Sequence, residues 1–179
     1  MKPPTTHSSE IVYTGFFKMR KDRLVRHDGE MCDFTSVEID WDAAVVIAED
    51  PEGRLILNRE YRHAAHQLVY GCPGGKLEDG EDPITCGKRE LLEESGYESD
   101  DLTLLGSCYP IPGVCNQKVY VIHAKNARLG RGKNPDPFEF IETVLLTEEE
   151  LRREVAQGAH IDGILCSALW YKSSLPCRK

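Results

Sequence analysis

A chain of 179 residues suits one domain, or one domain with an appended element, and can bury a sizeable core without staples. Its 22 Lys and Arg stand against 30 Asp and Glu, a net charge of -8, which argues against gripping a nucleic acid backbone but leaves room for a small anionic substrate once a bound divalent metal reverses the local sign. No apolar run approaches the roughly 18 residues of a membrane span, Met1 to Glu10 lack the apolar core of a signal peptide, and 7 cysteines without a Cys-x-x-Cys pair argue against a disulfide framework or zinc ribbon and suit a reducing cytosol.

Residues 1–9 read as a disordered lead. Ile11 to Phe17 are β-prone, and Leu24-Val25 follow a charged turn. From Phe34 to Trp41 one parity (Thr35, Val37, Ile39, Trp41) is the more apolar, which predicts a half-buried strand. Ala43 to Ala48 is a buried-strand candidate, and Glu49-Asp50-Pro51-Glu52-Gly53 turns it back into Arg54 to Arg59 as a hairpin. Gly71-Cys72-Pro73-Gly74-Gly75 requires a loop or a tight strand exit. Ile84 to Ser95 reads as a helix, with Asp82 as N-cap, Pro83 as its first residue and Gly96 beyond its end. Leu102 to Leu105 and Val119 to Ile122 are strands around Pro110-Ile111-Pro112-Gly113. Gly130 to Pro137 is a loop and Phe140 to Leu146 a strand. Thr147 and Glu150 form a capping box, and Asp162 caps a last helix holding Ile164, Leu165, Ala168, Leu169 and Trp170.

The predicted helix carries Arg89, Glu90, Glu93 and Glu94. Glu90 and Glu94 share a face, and Glu93 adjoins it. Two like charges about 4 Å apart cost roughly 1 kcal/mol in water and about 4 at a protein-surface dielectric. A hard divalent cation offsets that repulsion, since Mg²⁺ takes carboxylate oxygens, waters and substrate phosphates. A Glu cluster by itself is more often a solvated acidic face, but here a Gly-rich loop precedes it. The full pattern is Gly75, five residues, Glu81, seven residues, Arg89-Glu90-Leu91, one residue, Glu93-Glu94, one residue, Gly96-Tyr97.

That pattern resembles the Nudix signature without a mismatch. Arg59-Glu60-Tyr61-Arg62, Pro112-Gly113 and the run Gly132 to Glu142 are similar to features of the ADP-ribose pyrophosphatase subfamily. The resemblance implies an α/β (α+β) fold: a mixed β-sheet sandwiched between helices, with an N-terminal strand extension. It implies residues 1–42 as dimerising strands and 43–179 as the Nudix domain. It implies Mg²⁺, or Mn²⁺, held by Glu90, Glu94 and the Gly74 carbonyl, with Glu93 a further ligand or a base. Arg89 would orient a carboxylate, Glu139 would activate or position the attacking water, and Arg59, Arg62, Pro112 and Gly113 would contact substrate. The implied activity is hydrolysis of a nucleoside diphosphate linked to a sugar, ADP-ribose first, giving AMP and ribose 5-phosphate. GDP-mannose or a related sugar nucleotide, and a catalytically silent nucleotide-binding module, are the alternatives. The expected partners are the substrate and a second copy of the chain, with no nucleic acid and no membrane, in the cytoplasm.

Two departures bear on substrate. Where the subfamily has Glu-Leu-Pro-Ala-Gly, this chain has Gly71-Cys72-Pro73-Gly74-Gly75, and no carboxylate follows Pro112-Gly113. His63 and His66 lack further ligand-type neighbours and read as surface or substrate-loop residues. Trp41 and Trp170 read as core or interface positions, and Glu148-Glu149-Glu150 as a helix start favoured by the macrodipole.

Overall fold

The computed structural model of the protein describes residues 2–132 and 140–174. The chain divides into two compact units, 1–42 with 109–118, and 43–108 with 119–179.

In the first unit, β1 (Thr5–Thr14), β2 (Lys18–Val25) and β3 (Met31–Glu38) form an antiparallel meander. The expected lead is already strand from Thr5, which pairs with Val25. Charge and hydroxyl pairing hold this sheet, so apolar periodicity does not reveal where it starts. Ser9 Oγ donates to the buried Asp22 at 2.6 Å. Arg20 bridges Asp22 and Glu38, each at 3.0 Å. Of the parity expected to be half-buried, Val37, Ile39 and Trp41 are half-buried and Thr35 is exposed, while the one buried residue of β3 is Ser36 on the other parity. The segment 109–118 joins the meander through Val37 N–H, which donates to Val114 O at 2.7 Å. The Asn116 amide also pairs with both backbone groups of Ile39.

The second unit contains an eight-stranded mixed sheet among the described residues. Its strands are β4 (Ala43–Glu49), β5 (Leu55–Arg62), β6 (Gln67–Gly71), β7 (Gly74–Lys76), β9 (Asp101–Cys108), β10 (Val119–Lys125), β12 (Ile141–Leu146) and β13 (His160–Ile161). The order is β13-β6-β5-β4-β10-β9, with β12 on β5 and β7 on β4. A small pair, β8 (Tyr97–Glu98) and β11 (Arg128–Leu129), stands apart. The 49–53 hairpin is present but brief, since β4 and β5 pair only at Ala48↔Ile56 and Glu49↔Leu55. Beyond that point β4 pairs with β7, which carries the Gly-rich segment into the sheet.

Helices cover both faces, as the sandwich expectation requires. The caps α2 (Glu148–Ala156) and α3 (Gly163–Ser173) form as the sequence predicts: Thr147 and Glu150 make their box, and Asp162 Oδ1 accepts the Leu165 N–H at 2.6 Å. Leu151, Leu165 and Ala168 pack with Val45, Ile47, Leu55 and Leu57. On the other face Cys86 and Leu91 pack with Ala44, Val46, Ile56 and Ile122. There α1 (Pro83–Glu90) comes close because Gly87 has no side chain; a Cβ would lie 2.6 Å from Ile122 Cδ1. Trp170 is not a core residue, being 64% exposed on α3 with its edge against Tyr171. No helix among the described residues is long and apolar enough to cross a membrane.

Candidate active site

The predicted helix over 84–95 is two elements. Asp82 Oδ1 caps α1 by accepting from Ile84 N at 3.0 Å and Thr85 N at 3.2 Å. After Glu90 the chain widens into a π-helical turn, Leu91–Ser95, closed by Gly96 at φ 79. Such turns are uncommon and gather at functional sites. Ser95 Oγ donates to Leu91 O at 2.5 Å inside this one. Nothing in side-chain periodicity distinguishes a π turn from a last α turn, so the sequence could not separate them.

The turn carries Glu93 and Glu94 next to Glu90 but gives each a different setting. Arg89 is the hub. It donates to Glu81 through Nε and Nη2 (3.1 and 3.0 Å), to Glu90 Oε1 at 2.7 Å, to Glu93 Oε2 at 3.1 Å and to Lys76 O at 3.1 Å. These bonds, that to Glu81 foremost, push the guanidinium further above its ordinary range, and the same bond holds Glu81 below the usual carboxylate value. Burial, with Glu81 beside it, pushes the Cys86 thiol up to about 12.

Glu94 is 6% exposed. Its Oε2 accepts from Gly74 N at 2.8 Å and from Asn58 Nδ2 at 2.7 Å. Asn58 is a site residue that sequence reasoning missed, because in β5 it looked like the polar end of a strand. It is 3% exposed, and its Oδ1 is buried with no partner among the described residues, a cost of about 1–3 kcal/mol.

Gly75 sits against Glu90: a Cβ there would run into the Glu90 carboxylate. At Gly74 the added Cβ would instead meet the backbone of Ala44 and Val45. The cradle and its donors fit a hard divalent cation, which takes oxygen ligands. Among the described residues no three acidic, His or Cys side chains converge on one point. Arg89 holds Glu90 and Glu93, and Glu94 leans on Asn58 and Gly74.

The two expected substrate arginines part company. Arg59 follows Leu57 on the α2–α3 side, ion-paired with Glu142 at 3.3 Å and lining a cleft with Tyr61, Tyr70 and His160. Arg62 has the parity of Asn58 and pairs with Glu60 at 2.8 Å. Pro112 and Gly113 lie in the first unit, in an exposed turn where Ile111 O accepts from Val114 N at 3.0 Å. Glu139 lies outside the described residues. Gly71 lacks the subfamily's carboxylate, and Asp162 lies beside it: a Cβ on Gly71 would be 2.8 Å from Asp162 Oδ2. Burial raises the Asp162 carboxyl above its usual range, against the pull of the Leu165 N–H and Arg62.

A carboxylate-bearing turn buried against a Gly-rich strand, between helices on a mixed sheet, agrees with the comparisons to known proteins. The family model described as the NUDIX domain matches residues 40–163, and the chain belongs to the NUDIX family. It is 30% identical to an ADP-ribose pyrophosphatase of Bacillus subtilis (strain 168) over 166 residues, 90% of this chain and 83% of that protein. It is also 30% identical to a methanol dehydrogenase activator of Bacillus methanolicus over 154 residues, 84% and 75% of the two chains. A solved structure titled as an ADP compounds hydrolase superposes with a TM-score of 0.86 at 21% identity, covering 97% of this chain and 94% of that one. This likeness bears out the fold class. The protein is a Nudix hydrolase, and such enzymes use divalent metal ions.

Proposed function

We propose that the protein hydrolyses the diphosphate of a nucleoside diphosphate sugar, with ADP-ribose as the leading substrate and AMP and ribose 5-phosphate as products. The observation that carries this reading is the complete carboxylate set of the signature. Glu90 and Glu93 share one guanidinium, while Glu94 is buried on two N–H donors. The ADP-ribose pyrophosphatase of Bacillus subtilis among its relatives supports the choice of substrate.

In this reading Glu90, Glu94 and the Gly74 carbonyl hold Mg²⁺, or Mn²⁺ in its place, with Glu93 a further ligand or a base. When bound, the metal polarises the phosphoryl oxygens and neutralises developing charge. Arg89 orients Glu90 and Glu93. Glu139 positions or deprotonates the attacking water. Arg62 meets a phosphate or the terminal sugar, with Arg59, Pro112 and Gly113 as further substrate contacts.

Residues 1–42 serve dimerisation, and 43–179 form the hydrolase domain. Ile11, Val12, Tyr13, Phe16 and Phe17 are exposed in the first unit, Phe16 at 83%. A second copy of the chain is the partner we assign to them, in the cytoplasm.

A screen of nucleoside diphosphate sugars with Mg²⁺, identifying products by mass, tests the reading. ADP-ribose should turn over fastest, with Glu90→Gln and Glu94→Gln both inactive. GDP-mannose turning over fastest would move the substrate but keep the reaction. No turnover of any member would leave a silent nucleotide-binding module.

A further inference from the structure

We propose that Asn58 is a positioning residue: its side-chain amide holds the Glu94 carboxylate in the orientation in which it receives a divalent cation. The proposal rests on the reading of Glu94 as a metal ligand. Along β5 the side chains alternate, with Leu55 and Leu57 in the core under α2 and α3, and Ile56 in the core under α1. Asn58 continues the Ile56 parity, so it belongs to the face that carries the glutamates. Its cross-strand neighbours are Thr143 on β12 and Gly71 on β6. An apolar side chain would satisfy a buried position next to Ile56. The chain instead places a polar group there and leaves half of it unsatisfied.

The satisfied half is Nδ2, which donates to Glu94 Oε2 at 2.7 Å. The orphan is Oδ1. Flipping the amide would set Oδ1 against a carboxylate, acceptor on acceptor, so the bond to Glu94 fixes which way the amide points. The same Oε2 takes the Gly74 N–H at 2.8 Å, from the strand exit expected to supply the metal's backbone ligand. Two donors on one oxygen fix the side chain's plane. The row grips the backbone as well: Thr143 Oγ1 donates to the carbonyls of Glu94 and Ser95 at 3.5 Å each. A half-unsatisfied buried amide costs the fold, and such exceptions concentrate where function needs a group held in place.

The test is Mn²⁺ binding to the full chain by titration calorimetry, without substrate. Asn58→Leu removes the donor while keeping the branched side-chain skeleton. Groups that support metal ligands typically change affinity about 10–100-fold, and a rise in Kd of that size is expected. A purely structural staple could also weaken binding, so the decisive measurement is a double-mutant cycle with Glu94→Gln. If Asn58 acts through Glu94, Asn58→Leu should shift Kd in the Glu94→Gln background by less than about twofold, the scatter of independent effects. A shift within about twofold in the wild-type background, or equal shifts in both, overturns the proposal. Wild-type protein that binds no Mn²⁺, or Glu94→Gln that binds like wild type, overturns the reading of Glu94 and this proposal with it. Melting curves are recorded alongside. If Asn58→Leu does not fold, Asn58→Thr, which suits a strand but is too short to reach Glu94, takes its place in the same cycle.

Discussion

Gly75 has no side chain where the Glu90 carboxylate lies, and one carbon added there would collide with it. The neighbouring Gly74 is constrained differently, because its added carbon would meet the backbone of Ala44 and Val45. A carboxylate can swing away, whereas a strand cannot. Gly75→Ala should therefore fold normally and lose metal affinity, by about 10–100-fold if it acts as displaced ligand support does. Gly74→Ala should instead lower the melting temperature. Circular dichroism melts with Mn²⁺ titrations separate the two, and equal melting losses in both variants would refute the distinction.

The signature's order and the cap at Asp82 were legible because both are local: a side chain and the N–H groups two and three residues on suffice. The division of labour among the carboxylates was not. It depends on a π turn and on Asn58, which lies 36 residues from Glu94 in the chain. Nor was the start of β1 legible, because Ser9 is tied to Asp22 of β2 by a side-chain hydrogen bond rather than by an apolar stripe. The sandwich was legible only through the family resemblance; in the structure Val45, Ile47, Leu55 and Leu57 face one side of the sheet and Ala44, Val46 and Ile56 the other.

A second prediction concerns acid. Glu49 ends β4, with His123 Nε2 at 2.7 Å and Lys172 Nζ at 2.9 Å. Burial would raise its carboxyl, but the bonds to His123 and Lys172 prevail and hold it at about 2, against an ordinary 4.5. A carboxyl depressed in the folded state stabilises above its unfolded value, and that contribution is lost as pH falls through the folded one. Glu49 thus contributes at neutral pH, at most about 3 kcal/mol, and the loss falls between pH 4.5 and about 2. Glu49→Gln should be less stable than wild type at pH 7, with the gap closing at pH 2. Denaturant melts at the two pH values check this, and a gap that does not close would be inconsistent with it.

Asp162 has the opposite sign. Burial raises its carboxyl, against the Leu165 N–H and Arg62. The folded state therefore disfavours the charged form at neutral pH, and that cost disappears when the group is protonated in both states. Asn caps helices about as well as Asp. Asp162→Asn should melt higher than wild type at pH 7 and no higher at pH 3. A lower melting temperature at pH 7 would mean that the charge itself supports α3.

Assembly is the fourth. Ile11, Val12, Tyr13, Phe16 and Phe17 cluster near one end of the meander and are exposed. Exposed apolar side chains gathered at one hairpin are the basis of the dimer proposal. Light scattering should show a dimer, and replacing Val12 and Phe16 together by Ser should shift it towards monomer without unfolding the 43–179 domain. A wild-type monomer at micromolar concentration would end the proposal.

The last prediction separates two candidates for the base. Glu93 is held by Arg89 at 3.1 Å beside Glu90, which suits a ligand-type carboxylate held in one orientation. Glu139, outside the described residues, adjoins Phe140, whose carbonyl accepts the Tyr61 N–H at 3.4 Å. Tyr61 directly precedes Arg62, the proposed phosphate contact, so the described chain returns to the sheet at Phe140 within one residue of that arginine. Loops on rigid scaffolds often carry catalytic residues, and Glu139 is the base we propose. A general base contributes typically about 10²–10⁴-fold. Glu139→Gln should lower kcat by that order with KM little changed, because the lost interaction acts in the transition state. Glu93→Gln should instead weaken Mn²⁺ binding, and added metal should restore part of its rate. If Glu139→Gln keeps nearly full kcat while Glu93→Gln stays inactive at saturating Mn²⁺, the base belongs on the helix.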